Sequence, residues 1–490
     1  MRHSLALLLV FTGFAVAADP LPVTVDWSRT VAQSHTELTI QVCPEPPLRR
    51  GYPIHDQLWK ALREMKSNVA RIQFWHPYPR LGVAELEPPH DGVTSWDFSL
   101  IDPIVLDFVA ASEGRPVMLN LSTPPQWMYR TPQPVPYPKD PDEITWKYMQ
   151  GTELRDPALK EIVDYYHRVA SWYIKGGFTD EAGKWHESGH HLKIAWWEVL
   201  NEVEQEHDVT PTQYNAIYDA VVADLHKLDP EMKFSGMALA QPALTAEYIH
   251  TFLDPRLHKP GTPLDMFAYH FYAAADSDES DETQQRTFFH KADQFMATVR
   301  YIESIHRRLA PKTKTFINEL GSFSPETLGA NQPIPASYWT LSGSMFAYLY
   351  PQLVREGIDL IGAAELIDYP GQFAGATLVD WVTGKPNARY WVVKLLRDNF
   401  GPGDALVQTS NPSQSFSAQA FVTPKGERKL LLVNKRDHEV TLTLAIPSDA
   451  NSKMEYVDQT TGYGPPAPLA LTGSLVTLRS QAVAVITLKQ

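Results

Sequence analysis

A chain of 490 residues, 43% hydrophobic and 20% charged, is long enough to bury a large core and to form two or three domains. Its formal net charge of −14 argues against a nucleic-acid partner, because an acidic surface repels phosphates. Cys43 is the only cysteine, which excludes an intrachain disulfide and any cysteine-built metal site.

The N-terminus reads Met1-Arg2-His3, then an apolar run from Leu5 to Ala17 closed by Ala15-Val16-Ala17. A basic head, a short apolar middle and an A-x-A end predict a secretory signal over residues 1–18. The run is too short to span a bilayer comfortably, and no other long apolar stretch follows. The expectation is a soluble protein, secreted or periplasmic, without membrane contact once the signal is removed.

From about residue 36 to 400, strand-like and helix-like segments alternate. LTIQV (38–42) precedes HDQLWKALREMK, and NVARIQFW (68–75) precedes FSLIDPIVLDFVAAS. RPVMLNLS (115–122) leads, through a Pro-rich loop, to DPALKEIVDYYHRVASWYI, and KIAWWEVL (193–200) leads to TPTQYNAIYDAVVADLHKL. MKFSGMAL (232–239) precedes AEYIHTFL, and PLDMFAYHFY (263–272) precedes HKADQFMATVRYIESIHRRL. KTKTFINEL (312–320) and DLIGAAEL (359–366) lead to PASYWTLSGSMFAYLYPQLVRE and NARYWVVKLLRDNF. The strands are near-continuous apolar runs, as when both faces are buried. The helices repeat apolar residues every three or four positions, as in Ile162, Tyr165, Tyr166, Val169 and Trp172. Eight such pairs predict an α/β fold, a (β/α)8 TIM barrel over residues 19–400. A doubly wound sheet is disfavoured, because no G-x-G-x-x-G follows an early strand. After residue 401 only short alternating segments such as RKLLLVNK and QAVAVITLK occur. They predict an antiparallel β-sandwich over 401–490, joined by a strand from 20–35.

In such a barrel the active site lies at the C-terminal ends of the strands. Two Asn-Glu pairs fall there, Asn201-Glu202 after the fourth strand and Asn318-Glu319 in the seventh. A solvated strand-end carboxylate is the plainer reading of either Glu alone; two across one barrel mouth point to glycosidic-bond cleavage, which needs one protonated and one ionised carboxyl. Trp75, His76, Asn120, Trp127, His270, Tyr272 and Glu365 stand at other strand ends as candidate sugar contacts. Arg71, inside the second strand, is a candidate partner for an acidic sugar, with a barrel-core role supporting the nucleophile as its stronger reading. Glu204 and Glu206, just beyond Glu202, read as a solvated acidic loop, and so does Asp276 to Asp281. The stretch Thr131 to Pro141 is expected to wall the cleft. His186-Glu187-Ser188-Gly189-His190 matches H-E-x-x-H, but a Gly inside the motif disfavours the helix that zinc binding needs, so a chance match in a loop is expected. Asn120-Leu121-Ser122 matches a glycosylation sequon yet lies at a strand end within the barrel.

On WEVLNE (197–202), YHFY (269–272), INELG (317–321) and DWVTGKPNARYWVVKLL (380–396), the chain resembles clan A glycoside hydrolases. It most resembles family 39, which includes β-xylosidases and α-L-iduronidases. The resemblance implies a retaining enzyme with no cofactor and no metal, acting on a glycoside or oligosaccharide. It implies Glu202 as acid/base, Glu319 as nucleophile and Asn201 as a partner of the sugar 2-hydroxyl. His270 and Tyr272 would orient the nucleophile region, and Trp75 and His76 would meet the non-reducing sugar. Members of the family usually follow Asn-Glu with Pro, where this chain has Val203. Three readings compete: an exo-acting β-xylosidase-like enzyme, an endo-acting or uronic-acid-specific relative, and an inactive carbohydrate-binding barrel.

Overall fold

The computed structural model describes residues 19–148, 151–276, 279–324, 334–368, 373–410, 412–445 and 452–488. The signal sequence expected over 1–18 lies outside the described residues. Eight parallel strands close into a barrel in chain order. They are Glu37–Val42, Ala70–Gln73, Val117–Leu121, Trp196–Val199, Lys233–Leu239, Met266–Ala274, Lys314–Phe323 and Leu360–Ala363. Ring closure pairs Leu360 with Glu37 and Ala363 with Ile40.

The helices that follow these strands are His55–Met65, Ile101–Ala111, Lys160–Ile174, Pro211–Leu228, Ala246–Leu253, Asp281–Leu309, Ala336–Glu356 and Ala388–Asn399. Each covers the barrel with the face its periodicity marks out; in the third, Ile162, Tyr165, Tyr166, Val169 and Tyr173 are buried. The fourth starts at a capping box, with Thr210 and Gln213 exchanging hydrogen bonds and Pro211 in the first turn. Among the described residues, no helix is long and apolar enough to cross a membrane.

The fourth strand is shorter than its apolar run suggests. Leu200 (φ +60°) and Glu202 (φ +42°) take left-handed backbone conformations, which ends pairing and turns the chain across the barrel mouth. Between the third helix and the fourth strand, Gly177–Thr179 and Trp185–Glu187 form a hairpin. His186 of the H-E-x-x-H match therefore lies on a strand rather than in a loop. Its Nε2 meets Asp180 at 2.7 Å, while the His190 Nε2 meets Asp102 at 2.9 Å. The two imidazoles serve different carboxylates, and the match has no shared ligand geometry.

The C-terminal strands form a seven-stranded sheet in the spatial order Ala467–Ala470, Lys453–Val457, Val483–Leu488, Arg428–Asn434, Phe416–Val422, Ala405–Thr409, Val25–Gln33. Facing it is a three-stranded sheet of Leu21–Val23, Val440–Leu444 and Leu475–Leu478. Leu21–Val23 pairs parallel with Val440–Leu444; the other described pairings of the two sheets are antiparallel. Strand alternation divides the larger sheet between two cores. Leu430 and Leu432 pack between the sheets with Val407, Leu442 and Ile486, whereas Leu431 and Val433 pack into the barrel's own apolar core.

The seventh and eighth barrel strands approach closely at Gly362, where a Cβ would stand 2.5 Å from the Asn318 carbonyl oxygen. That oxygen is backbone and cannot swing aside. Gly362→Ala should destabilise the protein by about 1–3 kcal/mol through overpacking, measured by chemical denaturation. An unchanged midpoint would contradict this close seating beside Glu319.

Candidate active site

The top of the barrel interior is polar, although the strands that build it are apolar in sequence. Arg71 of the second strand is fully buried and donates in several directions at once. Its Nε meets Glu198 Oε2 at 2.6 Å, and one terminal nitrogen meets Glu319 Oε1 at 2.8 Å. The same nitrogen reaches Gln41 at 2.6 Å and Gln73 at 2.7 Å, while the other meets Asn201 Oδ1 at 2.7 Å. Glu198 is fully buried as well, and also accepts from Asn120 Nδ2 at 2.6 Å and Ser235 Oγ at 2.8 Å. Two buried carboxylates thus share one planar, permanently charged fork.

Glu319 is buried, whereas the Glu202 side chain keeps 17% of its surface exposed. His270 lies between them, its Nδ1 3.1 Å from Glu202 Oε1 and 3.3 Å from Glu319 Oε2. The Tyr272 hydroxyl donates to Glu319 Oε2 at 2.8 Å. A carboxylate oxygen of Glu202 and one of Glu319 lie within 4.8 Å of each other. Burial alone would raise the Glu319 carboxyl, but the charges of His270 and Arg71 outweigh it and hold the group below its usual value. Burial opposes a charge on His270, yet Glu319 and Glu202 together raise it above the ordinary imidazole value. These three side chains could contact a cation, but each is already engaged in hydrogen bonds within the cluster.

A cleft of about 470 Å3 opens over this pair. Trp75, Trp146 and Phe373 form an aromatic wall, with Trp75 and Phe373 stacked at 6.0 Å and Trp146 edge-on to Trp75 at 5.5 Å. Asn201, Glu206, Glu365 and Asp368 supply polar lining. Burial, then the charges of Asp368 and Glu319, push the Glu365 carboxyl well above the carboxylate range. His76 is pushed well below the imidazole range by burial and by the charge of His207.

Of the residues expected from sequence, Glu202, Glu319, Asn201, Tyr272, Trp75, His76 and Glu365 line this cleft, and His270 bridges the carboxylates beneath it. Others do not reach it. Trp127 turns away, donating to the Glu85 carbonyl at 2.9 Å and stacking under Arg155 at 4.5 Å. Asn120 lies below the floor, fully buried against Glu198 and the Leu200 carbonyl. Arg71 has no surface to offer a substrate. No residue of Thr131 to Pro141 lines the cleft; Trp146, a few residues later, does. Glu206 is not a solvated loop residue, being only 7% exposed and facing the cleft. Sequence pattern does not mark Glu206, Trp146, Phe323, Asp368 or Phe373 as site residues. Glu198 is absent from the expected residues as well, although a charge in the middle of the apolar run WWEVL signals it.

No family model matches the chain, and no curated protein does. Solved structures share the fold over nearly its whole length. The GH51 arabinofuranosidase from Xanthomonas axonopodis pv. citri is 11% identical with a TM-score of 0.64, covering 96% of this chain and 99% of that one. A glucosidase from Croceicoccus marinus is 13% identical with a TM-score of 0.60, covering 97% and 100%. A GH30 endoxylanase from Clostridium papyrosolvens C71 is 14% identical with a TM-score of 0.57, covering 96% and 100%.

Arg71→Met should cost about 3–5 kcal/mol at neutral pH, because it leaves Glu198 and Glu319 buried without their cation. Deprived of it, Glu319 would bind a proton more tightly folded than unfolded. The deficit against wild type should therefore shrink as the pH falls, in denaturation curves recorded from pH 8 to 5. A deficit that is small, or that grows in acid, would contradict this network.

Proposed function

We propose that the protein is a retaining glycoside hydrolase that cleaves neutral O-glycosides by double displacement. The observation that carries this reading is the approach of Glu202 and Glu319 to within 4.8 Å on the cleft floor. Retaining enzymes hold their carboxyl groups about 5–5.5 Å apart, whereas inverting ones leave about 6.5–9.5 Å for a water. Glu319, kept ionised by Arg71, His270 and Tyr272, attacks the anomeric carbon. Glu202, the more exposed of the two, donates a proton to the departing oxygen. It then removes a proton from the water that releases the sugar from Glu319. Asn201 faces the sugar 2-hydroxyl, and Trp75, Trp146 and Phe373 supply apolar faces for the rings.

The lining favours a neutral sugar. Among the described residues that line the cleft there is no Lys or Arg to pair with a uronate carboxylate. The volume falls in the lower half of the range of about 300–1,000 Å3 for small-ligand sites, which favours exo action on short glycosides. Resemblance to clan A, and to family 39 within it, supports a β-xylosidase-like activity. The structural neighbours named as an endoxylanase, an arabinofuranosidase and a glucosidase support glycosidase action at the coarser level. Export is proposed from the N-terminal run alone.

Glu319→Ala and Glu202→Ala should each lower turnover of the preferred aryl glycoside by several orders of magnitude, assayed against xyloside, glucoside, arabinoside and iduronide. Wild-type rates in Glu319→Ala would show that the nucleophile is misassigned. Iduronide cleavage faster than that of every neutral substrate would reverse the reading of the cleft.

A further inference from the structure

The turn after Glu202 carries a third carboxylate into the cleft. Gln205 N and Glu206 N both donate to the Glu202 carbonyl, at 2.8 and 2.7 Å, so the chain doubles back within one turn. Val203, where the resembled family has Pro, is fully buried and anchors that turn in the core. Glu206 Oε1 accepts from the Trp75 indole nitrogen at 2.6 Å and from Asn201 Nδ2 at 3.2 Å. Its Oε2 stands 3.3 Å from Ser122 Oγ. Asn201 is thereby gripped on both sides, its Oδ1 by Arg71 and its Nδ2 by Glu206. One Nδ2 hydrogen is left for a ligand.

We propose that Glu206 is a positioning residue, a carboxyl group that ties the Trp75 ring to the Asn201 amide so that both meet the sugar as one unit. The proposal rests on the hydrolase reading above for its kinetic consequences, though not for its effect on sugar binding. The surroundings of Glu206 suit the neutral acid. His207 Nε2 lies 3.8 Å away, but burial lowers that imidazole to about 4, and its Nε2 pairs with the Ser122 carbonyl at 2.9 Å. Arg71 is fully engaged elsewhere. Burial, and then the charge of Glu202, raise the Glu206 carboxyl well above the usual range. Glu206 Oε1 accepts from Trp75 and Asn201, and Ser122 Oγ donates to Oε2. A glutamine side chain keeps the Oε1 acceptor, and its amide NH2 can donate to the Ser122 hydroxyl, which accepts as well as donates.

The test compares Glu206→Gln with Glu206→Ala on two substrates, the preferred aryl glycoside and its 2-deoxy analogue. Glu206→Ala should lower kcat/KM on the glycoside by about 100-fold, the cost of a misplaced positioning group. Its loss on the 2-deoxy analogue should be less than about tenfold, because Asn201 has no 2-hydroxyl to contact there. Glu206→Gln should stay within about threefold of wild type on both. Calorimetric titration with free xylose and free glucose reads the tether without turnover. Whichever sugar binds should bind about tenfold more weakly to Glu206→Ala and unchanged to Glu206→Gln. Equal losses on both substrates, or a glutamine variant as impaired as the alanine variant, would overturn the proposal. So would an alanine variant that binds and turns over like wild type. If wild type hydrolyses no glycoside, the hydrolase reading fails and the titration still decides the role of Glu206.

Discussion

The buried guanidinium of Arg71 is the interaction on which the rest of the site depends. It reaches the first strand through Gln41, its own strand through Gln73, the fourth through Glu198 and the seventh through Glu319, and it holds Asn201 beyond the fourth. A charge without exposed surface is tolerated only when paired and hydrogen-bonded with good geometry. Each of these contacts therefore constrains the strand that supplies it. A slip of one residue in any of these strands would turn its partner away from the barrel axis and leave part of the fork unpaired. Register and site geometry are in this sense one constraint.

Two glutamates of identical chemistry sit in different surroundings. Glu319 is buried beside a cation, an imidazole and a phenol, in a setting that favours its anion. Glu202 takes a strained left-handed backbone conformation, with solvent on one side and His270 on the other. Such separate environments are what the proposed nucleophile and acid/base roles require. His270 couples them, because its Nδ1 lies within hydrogen-bond reach of both. The further acids of the cleft, Glu206 and Glu365, are pushed toward their neutral forms, so the pocket accumulates hydrogen-bonding groups without a matching accumulation of charge.

The barrel was legible because burial on both strand faces writes itself as apolar runs and amphipathic helices as a 3.6 period; counting the runs placed Glu202 and Glu319 at one mouth. Strand limits were less legible. Leu200 continues the apolar run of the fourth strand, and only its left-handed backbone removes it from the ladder. Side-chain direction was the main loss. Trp127 and Trp146 both follow the third strand, yet one turns toward Arg155 and the other into the cleft, and no periodicity distinguishes them in irregular chain. Acidic loops are usually solvated, and the turn that folds Glu206 inward is set by backbone hydrogen bonds to Glu202 that no sequence pattern marks. At 11–14% identity to structural neighbours, likeness extends to the fold, and the site has to be argued from its own atoms.

In the proposed double displacement Glu319 forms a covalent bond to the sugar while Glu202 manages the proton. Incubation with an activated 2-deoxy-2-fluoro glycoside of the preferred sugar, followed by proteolysis and mass spectrometry of the peptides, tests it most directly. Time-dependent inactivation and one added sugar mass on the peptide containing Glu319 are the expected result. Labelling of a peptide containing Glu202, Glu206 or Glu365 instead, or turnover with inversion at the anomeric carbon and no adduct, would contradict it.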